Sequence, residues 1–356
     1  MIKYLSLFSG IGAFESALTN LGVNYEVVNY CEIDKYASKS YSAIHGVPET
    51  KNLWDITKVN VFNLPKPGEI DLVTYGFPCQ DISLAGNQKG LFNDDGSLTR
   101  SGLFFEALKV IEYCKPKVAI AENVKNLTSK KFATQFETVL KSLENAGYNN
   151  YWKILNAKDY GIPQNRERVF IVSIRKDIDN ELFEFPKPYS LEKRLKDFLE
   201  PHVDEKYYLS DKIYTFFSEN TKKQEEKGNG FRFSPTDGNT IAKSITTRAG
   251  NRMDDNFIIQ RGHGFNLGGN KGDVCPSITS NSFQHNNFVF KNNDVRKLTP
   301  KECYRLMGFS DEEFERAENV PTSNTQLYKQ AGNSIVVDVL EELFCMLLDE
   351  QGDLYV

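Results

Sequence analysis

The chain has no CxxC pair: its six cysteines, Cys31, Cys79, Cys114, Cys275, Cys303 and Cys345, are scattered. That spacing argues against a structural zinc site or a disulfide framework and fits reduced thiols, most of them small core residues. No apolar run approaches the ~18 residues of a membrane span. The apolar start Met1–Phe8 passes directly into Ser9-Gly10-Ile11-Gly12. It reads as a buried first strand rather than a signal peptide, and a cytoplasmic protein is expected. A basic excess is missing too, with net charge −5 and pI about 5.6, which taken alone disfavours nucleic acid. The distribution qualifies this. Residues 227–301 carry eleven Lys and Arg against five Asp, a basic segment on an acidic body.

What is present is enough for a large core: 356 residues, 40% hydrophobic, room for one large domain and a smaller one. Apolar runs at Lys3–Phe8, Tyr25–Glu32, Asp71–Phe77, Val118–Val124 and Arg168–Arg175 predict strands. Helical periodicity falls at Ala13–Leu21, Lys35–His45, Gly102–Cys114 and Phe132–Ala146. Strands alternating with helices imply βαβ units, a mostly parallel sheet covered on both faces, and ligands at the carboxyl ends of the strands. After about residue 188 the composition turns to Asn, Gly, Ser and Lys, with short strand-like pieces. A weak repeat stands out there. Ala242–Thr247 leads to Asn256–Ile259, and Cys275–Ser280 leads to Asn287–Phe290. The two units predict β-ribbons whose loops, Arg248–Asn256 and Asn281–Asn286, offer base-reading side chains. Thr299-Pro300-Lys301-Glu302 then opens a helix with a capping box. A final helix over Ser334–Asp349 is expected to pack back on the sheet.

Phe8-Ser9-Gly10-Ile11-Gly12, between a strand and a helix, allows close backbone approach to a ligand. Glu32 ends the second strand ~20 residues on, where a carboxylate can accept ribose hydroxyls. This fits a dinucleotide as well as S-adenosylmethionine, but the third glycine of the dinucleotide fingerprint is absent, with Glu15 in its place. Asp55 reads equally as an acceptor for an adenine amino group and as a helix-capping residue. Gly76-Phe77-Pro78-Cys79-Gln80 puts a thiol at a strand's carboxyl end. An unperturbed thiol has pKa ~8.5, so its use as a nucleophile needs activation. Glu122 closes another strand, and Gln164-Asn165-Arg166-Glu167-Arg168 brings Arg168 towards the same pocket. Thiol, carboxyl and guanidinium together suit methylation of cytosine carbon-5. The thiolate adds to carbon-6, Glu122 bonds ring N3, Arg168 bonds O2, and the base must leave the duplex stack.

The ordered set formed by these motifs, Arg296-Lys297-Leu298-Thr299-Pro300-Lys301-Glu302-Cys303 and Gln330-Ala331-Gly332-Asn333-Ser334 closely resembles the DNA (cytosine-5) methyltransferase family of bacteria and phages. The match covers nearly the whole chain outside residues 180–290. The resemblance implies an α/β fold, Rossmann-like and S-adenosylmethionine-dependent, with a smaller, irregular β-rich target-recognition domain. The catalytic domain would be 1–188 completed by 324–356, and 189–323 the target-recognition domain and hinge. It implies Cys79 as nucleophile, Glu122 as the N3 partner, and Arg166 and Arg168 as active-site arginines. Phe8, Gly10, Ile11, Gly12, Glu32, Ile33, Asp55, Ile56, Pro78, Leu103, Asn333 and Ser334 would line the cofactor site. The family's mobile loop corresponds to about Ser83–Arg100, with Ser83 on the DNA backbone, Gln88 holding the flipped state and Lys89 beside them. Arg248, Arg252, Ser277, Thr279 and Gln284 complete the expected DNA contacts. The implied partner is double-stranded DNA bound by a monomer, in restriction-modification or phage protection. A tRNA cytosine-5 methyltransferase, a non-catalytic DNA-binding homologue and a nicotinamide dehydrogenase are the competing readings. Glu15 disfavours the last of these.

Overall fold

Alternation along the strands sets the architecture of this computed structural model, which describes residues 1–78, 81–82, 89–93, 95–228, 230, 232–260, 295–349 and 351–354. Strands β1 (Ile2–Leu7), β2 (Tyr25–Cys31), β3 (Leu72–Tyr75), β4 (Val118–Val124), β5 (Tyr148–Asn156) and β7 (Glu167–Arg175) form one sheet, ordered β2-β1-β3-β4-β7-β5. A two-residue strand, β6 (Gln164–Asn165), lies outside it. β1 pairs in parallel with β2 and β3, and β3 with β4, whereas β7 runs antiparallel to both β4 and β5. Tyr4, Leu72, Val118, Ile120, Phe170 and Val172 face one hydrophobic cluster; Leu5, Leu7, Val73, Tyr75, Ala119, Ala121, Val169 and Ile171 face the other. Both faces of the sheet are therefore buried, as strands this apolar require.

Helices α3 (Phe104–Cys114) and α4 (Ala133–Asn145) cover the second face through Leu108, Ile111, Val139 and Leu143. The first face takes α1 (Ala13–Asn20) and α2 (Lys35–His45). The C-terminal helices join them there, with Phe344 edge-on to Phe14 at 6.2 Å. Sequence periodicity located these first four helices to within a few residues. It missed β5. That strand is an edge, bonded only to β7, and its Asn149, Asn150 and Lys153 hide the alternation a covered strand would show. None of the described helices is long and apolar enough to cross a membrane.

Beyond residue 188 the sequence expectation needs two corrections. A 16-residue helix, α5 (Asp211–Glu226), occupies a stretch read as turns and short strands. Its periodicity is weak because only Phe217 is buried, against Leu209, Phe257 and Val295. The first repeat unit does not form a ribbon. β8 (Ala242–Lys243) pairs in parallel with β6, and β9 (Phe257–Ile259) pairs antiparallel with β10 (Val295–Lys297). The loop between β8 and β9 is closed instead by the Asn256 side chain, which accepts from Lys243 N at 2.8 Å and donates to Lys243 O at 2.9 Å. The second repeat unit lies outside the described residues.

The chain then folds into α6 (Pro300–Arg305), α7 (Asp311–Glu318), α8 (Asn324–Asn333) and α9 (Val337–Cys345). The expected capping box forms, with Thr299 and Glu302 as its partners. The last helix starts later than expected, because Ser334 is extended and its carbonyl is bonded to Arg166 at 2.6 Å. Glu302 is more than a cap. Fully buried Arg296 and Glu302 pair bidentately at 2.8 and 2.6 Å, and Glu302 also accepts the backbone N–H of Thr299 and of Glu200, both at 2.8 Å. Arg296 further donates to Gln260, which bonds the carbonyls of Glu200 and Pro201. One knot of charge thus ties four stretches of chain together. Leaving one member of such a pair buried alone costs about 3–5 kcal/mol. Arg296→Met is accordingly expected to lower unfolding free energy by about that amount in urea titration; a loss below about 1 kcal/mol would show the knot to be dispensable.

Candidate active site

The carboxyl ends of β1–β4 carry the chemistry. Phe8 leaves β1 with φ 53°, and Gly10 (57°) and Gly12 (84°) continue the left-handed turn. A Cβ on Gly12 would stand 2.1 Å from His45 Nε2, so only glycine lets the imidazole reach Ile11 O at 2.9 Å. Burial pushes His45 down to about 4, so the ring is neutral there. Behind the turn lies Glu15, fully buried and accepting from Tyr41 Oη at 2.7 Å. Burial raises its carboxyl above the usual range despite the hydroxyl bonds of Tyr41 and Ser6 that lower it. The residue that breaks the dinucleotide fingerprint is thus a buried acid anchoring α1 to α2.

Glu32 ends β2 as expected, and its oxygens accept Gly10 N at 2.9 Å and Asp34 N at 2.7 Å. Burial is the main influence on this carboxyl and raises it. Each oxygen keeps a second lone pair for a ligand hydroxyl. Ile33 is 70% exposed beside it, an apolar side chain held out at a strand end. Asn52, which the sequence reading passed over, fixes this corner. Its Oδ1 accepts from Glu32 N and Trp54 N at 3.0 and 2.8 Å, and its Nδ2 donates to Glu32 O at 2.9 Å. Asp55 takes the capping role: its Oδ1 accepts Thr57 N and Thr57 Oγ1 at 3.1 and 2.7 Å, and these bonds hold its carboxyl low. Ile11 and Ile56, expected to line the cofactor site, have buried side chains. Phe8, Pro78 and Leu103 are half-buried and Asn333 is exposed.

Glu122, at the end of β4, meets Arg168 of β7, whose Nε lies 2.9 Å from its Oε1. Antiparallel pairing sets this up by placing Val124 opposite Arg168 and Glu122 opposite Phe170. Burial raises the Glu122 carboxyl more than Arg168 and Arg166 together lower it. A carboxyl raised in this way is more readily protonated than a free one, and in its protonated form it can donate to a ring nitrogen. Its Oε2 looks toward Gly76, where a Cβ would be only 3.6 Å away. The next residue, Asn123, donates to Phe77 O at 3.0 Å, and Asn126 donates to Ile82 O at 2.5 Å. These two asparagines pin the chain on either side of Cys79; that role was not read from the motif. Cys79 itself, with Ser83, Gln88, Ser277, Thr279 and Gln284, lies outside the described residues. Gly90 N bonds Asp81 O at 2.7 Å and closes the base of the segment between them. Lys89 is exposed there.

Arg166, expected as an active-site arginine, lies close enough to the Glu122–Arg168 pair to help lower the Glu122 carboxyl. Its Nη1 donates to Ser244 Oγ (3.2 Å) and Ile245 O (2.9 Å), and its Nη2 to Gly332 O (3.0 Å) and Ser334 O (2.6 Å). These bonds tie the entry to β7 to residues 244–245 and to the backbone at 332 and 334. Of the two arginines in the loop after β8, Arg252 is held by Asp254 at 3.1 and 3.0 Å, while Arg248 is exposed. Cys31 and Cys114 are buried thiols pushed up to about 12, and Cys303 is also raised by burial. All three are inert core residues.

A parallel sheet with one reversed strand, a glycine turn facing an acid at the end of β2, and a Glu–Arg pair beside it define the architecture of S-adenosylmethionine-dependent methyltransferases. In fold the chain is similar to the Entamoeba histolytica methyltransferase EhMeth (TM-score 0.71, 18% identity, 97% of each chain). It is also similar to a mutant form of Spodoptera frugiperda DNMT2 (TM-score 0.68, 20% identity, 97% of this chain and 99% of that one). The family described as C-5 cytosine-specific DNA methylase matches residues 2–348, and the chain belongs to that family. Among its relatives are the orphan methyltransferase M.SPRI of Bacillus phage SPR, 34% identical over 98% of this chain and 97% of the relative, and the type II methyltransferase M.HhaI of Haemophilus parahaemolyticus, 33% identical over 96% and 92%.

The raised Glu15 has a thermodynamic consequence. The folded chain keeps a proton that the unfolded chain releases near ~4.3, so this stabilising contribution is present at low pH and is lost as pH rises through the folded value. Glu15→Gln removes it. Wild type is therefore expected to lose ground to Glu15→Gln in urea midpoint as pH is raised from 4 to 8; parallel curves would mean the folded carboxyl titrates normally.

Proposed function

We propose that the protein transfers a methyl group from S-adenosylmethionine to carbon-5 of cytosine in double-stranded DNA, through a transient bond between Cys79 and carbon-6. The observation that carries this reading is the Glu122–Arg168 pair, seated beside the strand end that leads through Gly76 and Pro78 to Cys79. The residues fit the cofactor. Exposed Ile33 offers an apolar face to an adenine ring, Glu32 retains acceptor capacity for the ribose, and the Phe8–Gly12 turn admits close backbone approach. Asp55 can serve the adenine amino group while capping, because its Oδ1 takes the capping bonds and its Oδ2 is paired with the exposed Lys58 at 3.3 Å.

When bound, S-adenosylmethionine supplies an electrophilic methyl group at its sulfonium centre. The protein's residues do the rest. Cys79 adds as thiolate to carbon-6 of a flipped-out cytosine, because carbon-5 of the intact ring is too weak a nucleophile. Glu122 bonds or protonates N3 and so accepts the charge displaced from the ring; its raised carboxyl suits that task. Arg168 holds Glu122 in place and has donors left for O2. Loss of the carbon-5 proton and departure of the Cys79 sulfur restore aromaticity. Residues 189–323 act as the target-recognition segment, mounted on the catalytic body through Gln164 and Arg166, with Arg248 and Lys89 among the DNA contacts.

Transfer of tritiated methyl groups to duplex DNA, with tRNA as the parallel substrate, tests the substrate class; label in tRNA alone would replace the DNA reading. Cys79→Ser is expected to lower turnover at least ~10³-fold with DNA affinity nearly unchanged. DNA containing 5-fluorocytosine, which has no carbon-5 proton to lose, is expected to trap wild-type protein in a denaturation-resistant complex. Failure to trap, in a preparation that binds DNA and cofactor, would sink covalent catalysis and favour a binding homologue.

A further inference from the structure

Lys297 ends β10 in surroundings that do not match its charge. The side chain is half-buried, with Nζ 5.7 Å from the Tyr328 ring centroid and 5.9 Å from that of Tyr207. Burial pulls its pKa below the ordinary lysine value, and Cys303 alone acts against this. Among the described residues no carboxylate neutralises it. Neighbouring cations are treated otherwise: Arg296 has Glu302, Lys301 has Asp311 and Glu315, and Arg252 has Asp254. Ring faces stabilise an ammonium weakly and use none of its strong donors. A desolvated cation left without an anion is costly unless an anion arrives.

The approach to Lys297 is shaped by glycine. A Cβ on Gly250 (φ 82°) would fall 2.5 Å from Lys297 Cδ, so the turn through Arg248 lies directly on the lysine stem. That turn begins at Thr246–Thr247, whose backbone rests on Gly332, where a Cβ would be 2.3 Å from Thr247 N. Gly332 O in turn accepts from Arg166. Contacts therefore run without a break from the Glu122–Arg168 cleft, along the turn carrying exposed Arg248, to Lys297. We propose that Lys297, with Arg248, clamps phosphate of the DNA backbone at the edge of the cleft; this rests on the reading of the substrate as DNA. Such contacts fix the register of a duplex and carry no sequence information.

Binding of several unrelated duplexes, followed by fluorescence anisotropy between 50 and 200 mM salt, tests the clamp. Lys297→Met keeps the stem over Gly250 and removes the charge. It is expected to weaken all duplexes alike, roughly five-fold near 0.15 M salt, and to make the slope of log K against log salt shallower by about 0.9. Lys297→Arg is expected to restore the slope. Arg248→Gln, an exposed change, should reproduce the shallower slope even if Lys297→Met proves unstable. Slopes equal to wild type in both neutral variants would overturn the clamp while leaving DNA as substrate. A wild-type protein that binds no duplex would overturn the DNA reading and the clamp together.

Discussion

Four hydrogen bonds from one guanidinium hold the site in register. Arg166 lies between the sheet that carries Glu122 and Arg168, the turn at Gly332–Ser334, and residues 244–245 of the segment beyond the sheet. Three of its acceptors are main-chain carbonyls, and the planar fork of arginine suits several acceptors at fixed angles where a lysine would not. Arg166 stands between β6 and β7 and Arg168 is the second residue of β7, so anchoring the first at the entry to that strand also places the second. Glu122 then receives its partner from a strand whose register is set on both sides, by β4 and by β5.

Around this node the buried polar groups fall into separate knots. Arg296–Glu302 ties the segment after β9 to the start of α6. Glu15–Tyr41 ties α1 to α2 under the glycine turn. Asn52 and Asn123 each hold backbone at a strand end, one beside Glu32 and the other beside Phe77. Arg296–Glu302, Asn52 and Asn123 also bond backbone groups, which gives a fixed geometry that apolar packing alone does not specify, whereas Glu15–Tyr41 joins two side chains.

The sheet was legible because its strands are apolar over their length and its helices follow the 3.6-residue period. The Glu122 and Arg168 positions were legible from their place at strand ends. What escaped the sequence did so for physical reasons. α5 buries a single phenylalanine and shows little periodicity. β5 is an edge strand with polar residues on both sides. The supposed ribbon after β8 failed because Asn256 supplies from its side chain the two bonds a partner strand would have made. The partners of Arg166 were not legible either: motif spacing fixes which residues lie near one another, while the acceptors at 245, 332 and 334 are brought in from distant parts of the chain.

The bare α-carbon at position 332 has a consequence for how such proteins diversify. The stretch 242–247 is seated on the sheet and its helices by its peptide groups, with Ala242 N on Pro163 O, Ile245 N on Gln164, Ile245 O on Arg166 and Thr246–Thr247 against Gly332, and by the buried side chains of Ala242 and Ile245. At Thr246 and Thr247, where backbone alone meets Gly332, the seat is indifferent to the side chains it carries. Exposed side chains such as Thr247 and Arg248 can therefore change without loosening that seat, while Ala242 and Ile245 cannot.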